Sequence, residues 1–322
     1  MPSSSRISLR FALGVLGLLV ATALTLLLIF RAQPVWIVED RFIAAWETAI
    51  ADSPLRGAKI IPLSAAVKER RSWYGYRIAT APPENGAGEG PVRVYRGLRN
   101  DRRQGESLLL ALDPWLVFRR FTSPVMSRED AENGPAGQIY LAGSEAAAIR
   151  AWTAQLMQES PGVFSADREL WKQTEERLLD SGMFQSGSRD HGWEDILPHL
   201  TVEGAAVWIY APFSKIRLLA EHETNSLEAG AFPGRPGWNQ AGLQAELLWA
   251  KPFGRPGNRK KLEAAQAWLQ GVSMQSLLAD TLGWAAAHPE YSPFNRISVS
   301  ARNAWRGSSY LWINNPTLPP QN

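Results

Sequence analysis

Cysteine is missing altogether from the 322 residues. That excludes disulfides, thiolate metal sites and catalytic thiols. It also excludes a lipid-modified cysteine as the means of membrane attachment. Histidine is scarce. The four present, His191, His199, His222 and His288, lack metal-ligand spacing, and no HExxH pair occurs. There is no GxSxG nucleophile elbow. Gly254 to Lys260 reads GRPGNRK, which has the wrong spacing for a phosphate loop, and Pro256 removes an amide donor such a loop needs. Gly86, Gly88 and Gly90 lie in a loop that does not lead from a strand into a helix, so they make no nucleotide fingerprint. Glu194 and Asp195 are adjacent on a helix and point to different faces, which reads as a solvated helix start rather than paired acid–base catalysis. A large charge of one sign is lacking too. The net charge is +3 and the basic residues are scattered, so nucleic acid is not an expected partner. These absences leave no catalytic constellation, no metal site and no cofactor site, and an enzyme is not expected.

What is present is a globular composition, with 45% apolar and 20% charged residues, and one long apolar run. Phe11 to Phe30 gives 20 residues without a charge, preceded by Arg6 and Arg10 and ended by Arg31. At about 1.5 Å per residue the run spans roughly 30 Å, the thickness of a bilayer's hydrocarbon core. A cleaved signal peptide is the competing reading, but its apolar region is only about 7–15 residues long. The expectation is an uncleaved transmembrane anchor over 11–30. A short cytoplasmic tail over 1–10 precedes it, because Arg6, Arg10 and the amino terminus outnumber Arg31. Everything after Arg31 is then exported, giving a single-pass protein of the cytoplasmic membrane with its body on the periplasmic or extracellular side. Fourteen tryptophans serve either a core or a sugar-stacking surface.

Along the body, 35–38 reads as a buried strand. Glu39 and Asp40 open a helix with Phe42, Trp46 and Ile50 at i, i+4 and i+8. A second strand over 58–63 completes a βαβ-like opening, which favours a parallel sheet. A loop follows over 82–91. Strands are expected over 92–96 and 107–112, Asp113-Pro114-Trp115 leads into 116–118, and a surface excursion is expected over 122–137. Helices are expected over 144–159, 167–180 and 193–200, then a buried strand over 205–210 and a helix start near Pro212. A Gly/Pro loop over 233–242 carries Trp238 and Asn239. A strand over 246–250, helices over 260–269 and 273–282 stopped by Gly283, a last helix over 299–305 and a flexible tail over 314–322 complete the reading.

The segment GWEDILPHLTVEGAAVWIYAPFSKI, from Gly192 to Ile216, resembles extracellular solute-binding proteins of ABC importers, especially the sugar-binding family. Gly204, Ala205, Ala206 and Trp208 match that family's turn and Ala-rich strand. Gly182 and Phe184 upstream, and Leu262, Ala265, Trp268, Leu269, Leu277, Leu278 and Gly283 downstream, fit its helices and turns. Asp113-Pro114-Trp115 is similar to its inter-lobe strand. The resemblance covers about 144–289 well and the chain before Asp113 weakly. It implies an α/β, two-lobe periplasmic-binding-protein-like fold with a shortened first lobe, after one N-terminal transmembrane helix. Lobe 1 is expected over about 34–118 plus part of 250–313, and lobe 2 over about 140–249. It also implies a ligand cleft between the lobes. The positions it indicates there are Trp36, Glu39, Asp40, Asp113, Trp115, Tyr210, Phe213, Trp238 and Asn239. For each aromatic except Trp238, core packing is an equal alternative. The implied partners are a small solute, a carbohydrate by family, and an ABC permease, with the bilayer contacted through 11–30. The shortened first lobe leaves open a second reading, a derivative of the fold that serves as a structural or protein-interaction module at the membrane surface.

Overall fold

A computed structural model describes residues 14–22, 33–66, 73–80, 92–95, 103–104, 107–120, 139–149, 151, 169, 173, 176, 180, 184–201, 208–217, 219, 225–232, 243–254, 259–306 and 310–313. Residues 14–22 are helical, and Leu16, Leu18 and Leu19 there are exposed. Among the described residues no helix is long and apolar enough to cross a membrane. The rest of the 11–30 run lies outside them.

The body opens with β1 (Gln33–Val38), a 3-10 turn at Asp40–Phe42, α1 (Ile43–Ala49) and β2 (Lys59–Pro62). β1 and β2 pair in parallel, as the opening pattern implies. A strand absent from the sequence reading, β3 (Trp73–Ala79), pairs in parallel on the other side of β1. Its glycine disguises it. Gly75 has φ of +148°, and a Cβ built there would sit 2.0 Å from the carbonyl oxygen of Val35. Only glycine permits β1 and β3 to approach so closely at that point.

Next come β4 (Val92–Tyr95), β5 (Arg103–Gln104) and the 14-residue β6 (Ser107–Arg120). Where a strand was expected over 107–112, with Asp113-Pro114-Trp115 leading on into 116–118, one strand runs unbroken through Asp113-Pro114. Pro114 has no N–H to donate, yet it sits mid-strand. Its position explains this. β10 (Leu243–Phe253) pairs with β6 up to Pro114, and β8 (Trp208–Pro212) takes over from Trp115. The proline lies where β6 changes partners.

The remaining elements are β7 (Ile139–Tyr140), α2 (Trp193–Thr201), α3 (Phe213–Arg217), β9 (Leu227–Gly230), α4 (Arg259–Leu269), α5 (Val272–Leu282), β11 (Ala285–Ala286), α6 (Arg296–Arg306) and β12 (Tyr310–Ile313). The Ala-rich strand is described from Trp208, with 202–207 outside the described residues, and Pro212 ends it at the start of α3. Gly283 closes α5 in the left-handed conformation with φ of 70°, as expected of a helix stop. The last helix begins three residues earlier than its expected start. The expected helices over 144–159 and 167–180 are described only in part: 146–149, 151, 169, 173 and 176 are helical. The segments at 82–91, 122–137, 233–242 and 314–322 lie outside the described residues.

The main sheet runs β2-β1-β3-β10-β6-β8-β7. Two apolar clusters flank it. One gathers Trp36, Phe42, Trp46, Tyr76, Leu108, Leu110, Leu248, Leu269, Leu278 and Trp284 beneath α1, α4 and α5. The other gathers Trp115, Leu116, Phe118, Ile196, Trp208, Tyr210, Phe213, Leu227, Ile297 and Trp305. Among the described residues three segments join the clusters: β6, β10 and the stretch from Trp284 through β11 to α6. The second cluster extends across the first two crossings to Leu109, Leu112, Leu247 and Trp249.

Candidate functional site

Parallel strands expose the amides and side chains just beyond their C-terminal ends, where ligands of open α/β sheets bind. Here β1, β2 and β3 end together, and the next residues form a polar corner. Glu39 follows β1, and its Oε2 accepts hydrogen bonds from the Thr80 N–H (2.9 Å) and hydroxyl (2.8 Å) just past β3. Asp40 accepts from the backbone N–H of Ser64 (3.1 Å) and from its hydroxyl, past β2. The Ser64 hydroxyl bond, with smaller help from backbone amides, lowers the Asp40 pKa. Arg41 ties the corner together. Its Nε lies 2.7 Å from Glu39 Oε1, an Nη donates to the Thr80 hydroxyl at 3.2 Å, and the other Nη meets Glu246 Oε2 at 3.0 Å.

Glu246 stands on β10 directly opposite Asp113 on β6. Asp113 is 6% exposed. Its carboxylate accepts from the Ser214 N–H (2.9 Å) and hydroxyl (2.6 Å), fixing the start of α3 to the crossing strand. Burial penalises its charge more than those bonds and nearby Arg41 favour it, with Glu246 adding to the penalty, so its pKa is raised from 3.8 to about 7.

At the third crossing Arg217, at the end of α3, reaches the other cluster. One Nη donates to the carbonyl of Trp284 at 2.8 Å and the other pairs with Asp280 on α5. Burial raises the pKa of Tyr291 beside them, against the pull of Arg217. A cavity of about 680 Å³ opens here. Its lining includes Val272, Ser276 and Asp280 from α5, Arg217 from α3, Tyr291 from the crossing, and Arg296 and Ser298 from α6, so helices that pack on either cluster contribute. Among the described residues no group of His, Asp or Glu could hold a metal ion.

Glu39, Asp40 and Asp113 therefore meet around Arg41 and the crossing. The aromatics sit elsewhere. Trp36 is fully buried, stacked on Tyr76 at 5.7 Å and edge-on to Trp46 at 5.2 Å. Trp115 packs on Tyr210 at 5.5 Å, Tyr210 on Phe232, and Phe213 lies under Arg217. Burial holds the Tyr210 phenol well above its ordinary pKa. All four are core residues in this conformation. Trp238 and Asn239 lie outside the described residues. Sequence reasoning passed over Arg41, Ser64, Thr80, Glu246, Arg217, Asp280 and Tyr291. Ser64 had a signal, since it falls just past the expected second strand, and Arg41 follows two acids. Thr80 was hidden with β3.

No protein-family model matches the sequence, and no curated protein sequence matches it. Solved structures do match. A probable secreted solute-binding lipoprotein from Streptomyces coelicolor is 13% identical, with a TM-score of 0.56 over 84% of this chain and 86% of that one. Ligand-free RafE from Streptococcus pneumoniae is 11% identical, with a TM-score of 0.56 over 85% of each chain. The SBP RafE in complex with raffinose is 11% identical, with a TM-score of 0.50 over 84% of this chain and 87% of that one. At such identities the likeness is one of architecture. The chain has the mixed α/β, periplasmic-binding-protein-like fold of solute-binding proteins, reached at low sequence identity.

Proposed function

We propose that this chain is a solute-binding protein, held at the outer face of the cytoplasmic membrane by residues 11–30, that captures a small solute between its two apolar clusters and presents it to an ABC permease. One observation carries the reading. The cavity at the third crossing is lined by helices that pack on the two clusters, α5 on one and α3 and α6 on the other, in a fold shared with solute-binding proteins. The raffinose complex of a structural neighbour makes carbohydrate the first class to try. The reading is of a binding protein rather than an enzyme. The anchor rests on the uncharged run and on the exposed leucines of its described part. Thermal-shift screening of the full chain in detergent against sugars, with raffinose included, tests the capture role. A ligand that raises the melting temperature is expected, and a screen in which nothing raises it would count against solute binding. Removing residues 1–31 is expected to release the body into the soluble fraction.

A second reading has its own observation. Residues of both clusters alternate along β6 and β10, and Arg41 and Arg217 tie the clusters together. A module so braced suits a fixed structural or protein-binding role at the membrane surface. Lobe movement on ligand addition would exclude it.

A further inference from the structure

The cavity at the third crossing has a chemical character of its own. α6 points its N-terminal turn at it, through Arg296 and Ser298, and that turn holds no acidic residue. Asn295 caps it, its Oδ1 accepting the Ser298 N–H at 2.9 Å. A helix start concentrates positive potential from unpaired amides. Ser298 adds an independent observation. It lines the cavity and is 4% exposed, yet its hydroxyl has no hydrogen-bond partner among the described residues. A buried hydroxyl left so is costly unless something completes it.

The charges point the same way. Glu228 is shared between two guanidiniums, Arg119 at 3.0 Å and Arg296 at 2.6 Å. Arg217 is matched by Asp280. Arg217 spends one Nη on the Trp284 carbonyl and the other on Asp280 and also hydrogen-bonds Tyr291, and a guanidinium has five N–H donors in all. A carboxylate or phosphate would meet a helix start, a guanidinium fork and a hydroxyl.

We propose that this cavity binds the carboxylate or phosphate group of a small anionic solute, held by Arg217, the Ser298 hydroxyl and the start of α6. The proposal rests on the solute-binding reading and names the chemistry that the cavity selects. Its neighbour Asp280 tunes the affinity downward by opposing the anion.

Calorimetric titration of the full chain in detergent tests it, at neutral pH and constant ionic strength, with inorganic phosphate, succinate and raffinose as separate probes. Saturable binding of phosphate or succinate is expected. Arg217→Gln should weaken it about tenfold, the loss of one charge-assisted contact, and Ser298→Ala about threefold to tenfold. Asp280→Asn should strengthen it. Ser298→Ala removes a single buried oxygen, so it reports even if Arg217→Gln folds poorly. Failure of both anions to bind in the millimolar range overturns the proposal, as does anion binding that neither variant alters. If raffinose binds and the anions do not, the anion proposal falls while solute capture stands. If an anion binds without any change in shape by solution scattering, the anion site stands and the capture reading falls.

Discussion

Replacing Asp113 by Asn should make the protein more stable at mildly alkaline pH, not less. Asp113 is almost fully buried at the β6 crossing, and burial raises its carboxyl from 3.8 to about 7. A group whose folded pKa lies above its unfolded value binds more protons in the folded state between those values. Stability therefore falls as pH rises through that window. Below about pH 4 the carboxyl is protonated in both states and carries no penalty. Above about pH 7 it is ionised in both, and the full penalty applies. The gap between 3.8 and about 7 corresponds to about 4 kcal/mol, an upper bound for a single isolated group. Asparagine keeps the geometry: its Oδ1 can accept the Ser214 N–H, and its amide can donate to the Ser214 oxygen, replacing bonds of 2.9 and 2.6 Å. Urea unfolding of the full chain in detergent, followed by tryptophan fluorescence at several values between about pH 5 and pH 8, reads the effect. The wild-type-minus-variant difference removes the titration of other groups common to both. Asp113→Asn should equal or exceed wild type near pH 8 and lose its advantage toward pH 5. A difference that stays flat with pH, or a variant less stable than wild type by more than about 1 kcal/mol at pH 8, would refute the reasoning.

Other perturbations follow from the same contacts. Gly75→Ala puts a Cβ 2.0 Å from the Val35 carbonyl at a φ of +148°, so it should cost more than about 4 kcal/mol or prevent folding, seen in expression and in the melting curve. Trp46→Ala empties a fully buried site against Trp36 and Trp268 and should cost about 3–5 kcal/mol by urea unfolding. Arg217→Ala removes the tie from α3 to Asp280 and the Trp284 carbonyl; it should cost about 1–3 kcal/mol and enlarge the radius of gyration.

Local signals made much of this fold legible, and long-range ones hid the rest. Residues 260–282 read correctly as two helices because apolar spacing and Gly283 are local features. The βαβ opening read correctly for the same reason. β3 was missed because Gly75 breaks its pattern, and the need for glycine comes from β1, distant in sequence. The continuity of β6 through Pro114 depends on which strands flank it, a matter of register. The site divided along the same line. The resemblance placed Glu39, Asp40 and Asp113 at a strand end and a crossing, where the structure also has them. Trp36, Trp115, Tyr210 and Phe213 were indistinguishable as ligand or core residues until their neighbours were known. Arg217 and Asp280 lie 63 positions apart, and nothing local announces their pairing.

We propose that the two apolar clusters close around a solute bound between them. Small-angle scattering of the full chain in detergent, with and without each sugar or anion that raises its melting temperature, tests this most directly. A smaller radius of gyration on adding such a solute, reversed on its removal, is the predicted result. An unchanged radius at saturation, with the ligand demonstrably bound, would contradict it and leave a braced, immobile module in its place.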